Sequence, residues 1–357
     1  MKFLRTLRSN KRIAPSALLL ALTMMALLLS SACGTGRPGS PTVTPTLTQT
    51  ATFPPTLTPT PEPLGSPNNP FVIGLVSETE DPQIAAAADE LARGIAGLAQ
   101  VNIAGRVFPT YRQLLESMEQ GEVHAAWMPP LTYLYASDEG IANVAMLTNH
   151  FGVYSYGTQF LANVESGFQP YFDPISGLSS ADAVTALEQF RDMRPCWVEP
   201  QSPSGYILPA GMLEFNAITT QPGVIIQNHT AVVRALYIKG VCDYGVTYSI
   251  IGDPRTSSSV QDDLPDVMNR VLVIWRTDAN IPNVSLALIA GLSEADRQML
   301  IQAFLDISRT PEGKALLSLS AGNYQIDEIK VIGDEVYDPL REAAEALNLD
   351  LSETIGK

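Results

Sequence analysis

The sequence predicts an α/β fold of two lobes, each a mostly parallel sheet flanked by helices. Short apolar runs of strand type alternate with longer helix-compatible segments from Phe71 onward, as βαβ units do. The alternation pauses at a polar, turn-rich connection after Val164 and then restarts. The tail ends in helical segments that need a sheet to pack on, and a first lobe made of one chain segment offers that place. The expectation is therefore a discontinuous first lobe (residues 71–164 and 276–357) and an inserted second lobe (165–275), joined by two hinge crossings as in a clamp.

In order along the chain, FVIGLVS is a buried strand, and the Ala/Leu-rich helix after it opens on Asp81 as cap with Pro82 in the first turn. VNIAGRVFP, VHAAWM and IANVAMLTN read as strands, with TYRQLLESMEQG and PLTYLYASDEG as the helices between them. YGTQFLANV, Tyr156 to Val164, closes the first half. The second half repeats the scheme. A helix over SSADAVTALEQFRDM is capped by Ser179 or Ser180 and followed by CWVEP, SGYILPAGMLEF, GVIIQN, HTAVVRALYIKG and CDYGVTYS. A polar loop leads to RVLVIWRT and NVSLALIAGL, and helices are expected over 293–320 and 334–347.

Ahead of this domain, Lys2, Arg5, Arg8, Lys11 and Arg12 precede an uncharged stretch from Ile13 to Ala32 that ends in LLLSSACG. This reads as a lipoprotein signal peptide over residues 1–32, with Cys33 as the lipidated first residue, although Leu29 stands four before the cysteine rather than three. The alternative is an uncleaved anchor, for which the apolar stretch is short. Either places the rest of the chain outside the cytoplasm, held to the cell membrane. Residues 33–70, almost all Thr, Pro, Ser and Gly, cannot bury enough apolar surface to fold and read as a tether.

The formal net charge is −15, and without the signal segment 17 basic side chains face 37 acidic ones, a net of −20. That excludes nucleic acid and anionic lipid surfaces as natural partners. An anionic ligand must then be held by local dipoles and hydroxyls. Beyond Cys33 only Cys196 and Cys242 occur, which in an exported chain read as a disulfide, the alternative being two buried thiols.

No catalytic signature of the G-x-S-x-G, H-E-x-x-H or Walker type is present in the sequence. Of the three histidines, His124 reads as structural and His150 as a loop residue, while His229 stands where a strand gives way to a helix. Ser202 and Ser204 occupy the same topological position one unit earlier. The serines fit helix caps, a nucleophile with His229 as base, or half of an anion cradle. The hydrolase lacks elbow spacing, and Pro203 removes an amide that an oxyanion hole would use. Free N–H groups and the dipole at two neighbouring helix starts favour the cradle, with Gly205 allowing close approach.

Five blocks in order, GLVSETEDPQIAAAADELA, TYRQLLESMEQGEVHAAWMPPLTYLYA, EPQSPSGYILPAG, QNHTAVVRALYIKGVCDYG and VLVIWRTDANIP followed by TPEGKALL, span Phe71 to about Leu340. On these blocks the chain resembles the substrate-binding proteins of phosphonate, phosphite and phosphate ABC importers. The resemblance implies a type II periplasmic-binding-protein fold that closes on a tetrahedral phosphorus oxyanion and delivers it to a permease and ATPase. It implies a cradle over Ser202, Pro203, Ser204 and Gly205, with the family's middle hydroxyl replaced by Pro203, and ligand contacts from His229, Tyr111 and Tyr156. Two carboxylates that hold an ammonium in aminophosphonate binders fall near Ser249 or Ile250 and near Val284, none of them acidic. A simple oxyanion is therefore expected over an aminoalkylphosphonate. Tyr133 is expected as a pocket wall and Trp127 as core. The chain is expected to work as a monomer without cofactor, metal or catalysis; a sensor or scaffold lipoprotein of the same fold is the rival reading.

Overall fold

The computed structural model describes residues 62–79 and 81–355. The expected signal segment, Cys33 and most of the expected tether lie outside them. No helix among the described residues is long and apolar enough to cross a membrane.

The first run comprises β1 (Phe71–Val76), α1 (Pro82–Ala99), β2 (Ile103–Phe108), α2 (Tyr111–Glu119), β3 (Ala125–Met128), α3 (Pro130–Asp138) and β4 (Ala142–Asn149). The second comprises β5 (Ser155–Asn163), a short hairpin of β6 (Phe172–Asp173) and β7 (Leu178–Ser179), α4 (Ala183–Leu187), β8 (Pro195–Trp197), α5 (Leu208–Phe215), β9 (Val224–Ile225), α6 (His229–Ile238), β10 (Tyr244–Ser249), α7 (Ser258–Asp263), α8 (Val267–Arg270) and β11 (Val271–Arg276). The return carries β12 (Ile281–Pro282), β13 (Ser285–Ile289), α9 (Glu294–Ile307), α10 (Pro311–Ser320), β14 (Glu328–Val331) and α11 (Asp338–Ala346).

Two sheets result. The first has strand order β14-β4-β13-β3-β1-β2, with β13 and β14 running against the other four. The second has order β11-β5-β10-β8-β9, with β5 alone reversed. The sequence sets these layers through burial. In α1 the positions Ile84, Ala88, Leu91 and Ile95, three or four apart, face the sheet, and the Asp81 carboxylate caps the first turn by accepting from Gln83 N at 2.8 Å. One face of the first sheet packs on α1, α9 and α10 through residues such as Leu91, Ile95 and Phe304, and the other on α2 and α3. In the second sheet Phe160, Phe190 and Tyr244 stack on one face, while Val232, Val233 and Leu236 of α6 cover the other. Cys196 of β8 and Cys242, just before β10, are disulfide-bonded with Cα atoms 5.6 Å apart, stapling two neighbouring strands of that sheet.

Several expectations need revising. β5 belongs to the second sheet, so the outward crossing is residues 150–154, not Val164, and the return crossing falls between Arg276 and Ser285. The crossings run side by side, β12 pairing antiparallel with β5 at Tyr156 and Ser155. Gly157 permits this, since a Cβ there would lie 2.7 Å from Asp278 O and Thr277 Oγ1. The cap of α4 is Asp182, not Ser179 or Ser180; Ser179 instead donates to Arg276 O. The tail holds an unexpected strand, β14, and α11 packs on α5 of the second lobe, where a Cβ on Gly211 would meet Ala343 at 2.6 Å.

Candidate functional site

Parallel strands end on the same side of a sheet, so the loops after β8, β9 and β10 converge. After β8, Val198 leads to a turn in which Ser202 caps a π-helical segment, Pro203–Ile207, that runs into α5. Ser202 Oγ accepts from Gly205 N at 3.0 Å. Pro203 has no N–H, so the Ser204 N–H is the one left without an intrahelical acceptor in this turn. The Ser204 carbonyl is fixed from behind by the Thr158 hydroxyl, which donates at 2.6 Å from β5.

After β9, Asn228 caps α6 by accepting from Ala231 N at 2.8 Å, which sets His229 at the first helical position. His229 Nδ1 accepts from Tyr248 N at 3.3 Å, and its ring meets the Tyr248 ring edge-on at 4.7 Å. Burial lowers its pKa from the ordinary 6.5 to about 4. The imidazole is therefore neutral at pH 7, and with Nδ1 accepting, Nε2 carries the proton and is a donor.

These residues share one cavity of about 350 Å³ with Tyr156, Tyr324, His150 and Asn283. The Tyr156 hydroxyl faces Ser204, and burial raises the pKa of Tyr156 and of Tyr324, so both phenols keep their protons. Among the described residues, no Asp, Glu, Lys or Arg lines the cavity. No group of three or more His, Cys, Asp or Glu able to hold a metal occurs among the described residues. Chemically this is an enclosure rich in O–H and N–H donors, suited to an oxyanion through hydrogen bonds worth about 1.5–3 kcal/mol each when the acceptor is charged.

Of the residues singled out from the sequence, Ser202, Ser204, His229 and Tyr156 come together here. Three do not. Tyr111 lines an adjoining cavity of about 520 Å³, beyond Pro130 and Pro203, which border both spaces. Tyr133 is buried in the first lobe: its hydroxyl donates to Asp334 Oδ1 at 2.6 Å and accepts from Val144 N at 3.0 Å, and burial pushes its pKa up to about 12. It lines a different cavity, with Asp334 and Val144, and not the one that holds Ser204 and His229. Gly205 serves packing, not ligand approach, because a Cβ would lie 2.5 Å from Val198 and its N–H is taken by Ser202. Trp127 is core, with Nε1 donating to Ser320 Oγ at 3.0 Å.

Asn283, His150 and Tyr324 were not foreseen as lining residues. Asn283 sits on the return crossing, donating from Nδ2 to Val153 O at 2.7 Å and so tying the two crossings together at the cavity. His150 donates from Nδ1 to Gln325 O at 2.7 Å and stacks on Tyr324 at 4.1 Å. All three come from connections with no local motif, and only the folded chain brings them together.

A family model described as the periplasmic substrate-binding protein of a phosphonate ABC transporter matches residues 73–337, which is most of the chain. The chain belongs to this family. Phosphonate-type binding proteins work with ABC permease and ATPase components, outside the cytoplasm. Solved structures similar to this chain include XAC2383 from Xanthomonas citri bound to ATP, with TM-score 0.54, 15% identity and coverage of 78% of this chain and 96% of that one. The same Xanthomonas protein bound to a chloride ion gives TM-score 0.53 and 16% identity, covering 78% and 97%. At these identities the likeness shows the fold. A comparison with curated proteins finds no match.

Proposed function

We propose that this chain is an extracytoplasmic binding lipoprotein, tethered through a lipidated Cys33, that captures phosphate, phosphite or a simple phosphonate for an ABC importer and performs no catalysis. The two lobes close on the ligand about residues 150–154 and 277–284. The observation that carries the reading is the set of neutral donors, Ser202, Ser204, Tyr156 and His229 Nε2, meeting in one cavity of a chain from the phosphonate-type family. A tetrahedral oxyanion presents several acceptor oxygens and no donor once ionised, which matches such a lining. The Ser204 N–H and the dipole of the helix behind it add to the attraction without a cation. Hydrolysis is disfavoured at the same place. Nucleophilic chemistry would want a base beside a serine, and His229 Nδ1 is occupied by Tyr248 N while its Nε2 bears the proton.

A simple oxyanion is favoured over an aminoalkylphosphonate because no carboxylate among the described residues lines the cavity to hold an ammonium. Calorimetric titration with phosphate, phosphite, methylphosphonate, 2-aminoethylphosphonate and sulfate tests this. At least one of phosphate, phosphite and methylphosphonate is expected to bind, more tightly than 2-aminoethylphosphonate; no heat from any phosphorus compound would refute the ligand class.

A further inference from the structure

At the end of β10, beside the cavity, Ile250 has a φ of +74°, a left-handed value that a β-branched residue rarely adopts. Across it Ile251 N donates to Ser249 O at 2.9 Å, so residues 249–251 form a γ-turn of positive φ, the strained member of its class. Packing does not offset the strain. The Ile250 side chain is exposed, and the Ser249 hydroxyl beside it is buried with no hydrogen-bond partner among the described residues. Glycine would take the same turn freely.

The turn persists because the chain beyond it is clamped. Arg255 grips Asp253 through Nε at 3.1 Å and Nη2 at 2.6 Å, and its Nη1 donates to Val271 O of β11 at 2.8 Å. Gln159 Nε2, from β5, donates to Asp253 Oδ1 at 3.2 Å. Arg255 and Gln159 are both buried. Strained backbone survives only where its surroundings fix it in this way, and it gathers at functional sites. Here the residues on either side of the turn, Tyr248 and Ile251, both line the oxyanion cavity, whereas Ile250 does not. Residues three apart in an extended strand point to opposite faces, so the reversal at Ile250 is what brings Ile251 back to the cavity that Tyr248 borders.

Resting on the oxyanion reading of that cavity, we propose that Ile250 is a positioning residue for ligand capture. Its strained turn, locked by the Asp253–Arg255 pair, holds Ile251 as a fixed wall of the cavity before the ligand arrives. A wall already ordered in the free protein loses little conformational freedom on binding, whereas a relaxed loop would have to be ordered by the ligand.

The test compares wild-type protein with Ile250→Gly, Ile251→Ala and the double variant. Ile250→Gly relieves the turn and is expected to melt no lower than wild type. The Ile251 methyl order parameter, read by NMR relaxation in the free protein, is nevertheless expected to fall by about a third in that variant, and methylphosphonate to bind about fivefold more weakly by calorimetry. Ile251→Ala is expected to weaken binding to a similar extent, and adding Ile250→Gly to it to cost less than about twofold more, because Ile250 acts through Ile251. Full affinity in Ile250→Gly while Ser204→Ala still weakens binding would overturn the positioning role and leave the oxyanion cradle standing. Fully additive losses in the double variant would overturn the route through Ile251. Absence of binding of phosphate, phosphite and methylphosphonate to the wild type would overturn the oxyanion reading and the capture role with it. An unchanged Ile251 order parameter in Ile250→Gly would overturn the fixed wall whether or not a ligand binds.

Discussion

The strand ends of the two lobes face the same cleft and are built alike, yet they offer different chemistry. After β8 and β9 the second lobe presents capped helix starts with serines and a neutral histidine. After β1, β2 and β3 the first lobe presents prolines, Tyr111 and Glu78. The parallel sheet decides where loops converge, and loop residues decide what is bound there. The second lobe's loops are also held more firmly. Cys196 and Cys242 staple β8 to the approach of β10, Thr158 fixes the Ser204 carbonyl, and Gly205 lies directly on Val198. Binding one defined ligand needs such fixed donors.

Breaking the staple is the harshest way to erase this difference. Replacing both Cys196 and Cys242 by Ser opens a loop of 46 residues and is expected to lower stability by roughly 4 kcal/mol, read by urea unfolding of oxidised protein. Gly205→Ala comes next. Its Cβ would press on Val198 and Ser202 Oγ, and an overpacking loss of about 2 kcal/mol is expected, together with weakened oxyanion binding. Ser202→Ala removes the cap on Gly205 N and is expected to cost about 1 kcal/mol in stability, measurable by thermal unfolding.

A pH slope is a separate effect, confined to acidic solution. His229 has a pKa of about 4 in the folded protein against 6.5 ordinarily, so the unfolded chain binds the extra proton first. Its contribution to stability is complete above pH 6.5 and is lost as pH falls through about 4. His229→Gln, which keeps a donor but cannot titrate, is expected to flatten that part of the melting-temperature profile between pH 6.5 and 4, and an unchanged slope would count against the burial of His229.

Much of the fold was legible because strand-type runs and helical segments alternate along the chain. The positions of the hydroxyls and the imidazole at helix starts were legible for the same reason: a strand followed by a cap residue marks a helix start. Tyr133 misled because α3 is buried on nearly all sides, Pro130, Leu131, Thr132, Tyr133, Leu134 and Ala136 alike, so no period says which way the ring points. β5 misled because an apolar strand carries no mark of the sheet it joins; pairing with β10 and β11 decides that. β14 is only four residues long, with one buried side chain, and gives no alternating signal to read. Tyr111 sits at the predicted helix start, but two prolines from distant segments separate it from the serines, and sequence spacing does not reveal such a partition.

The central claim is that uncharged donors of the second lobe hold the oxyanion. It is tested most directly by titrating methylphosphonate into wild-type protein and into Ser204→Ala at pH 7. The expected result is measurable binding that Ser204→Ala weakens by about 1–3 kcal/mol while the melting temperature of the free protein changes little. Equal affinity in the two proteins would contradict the claim.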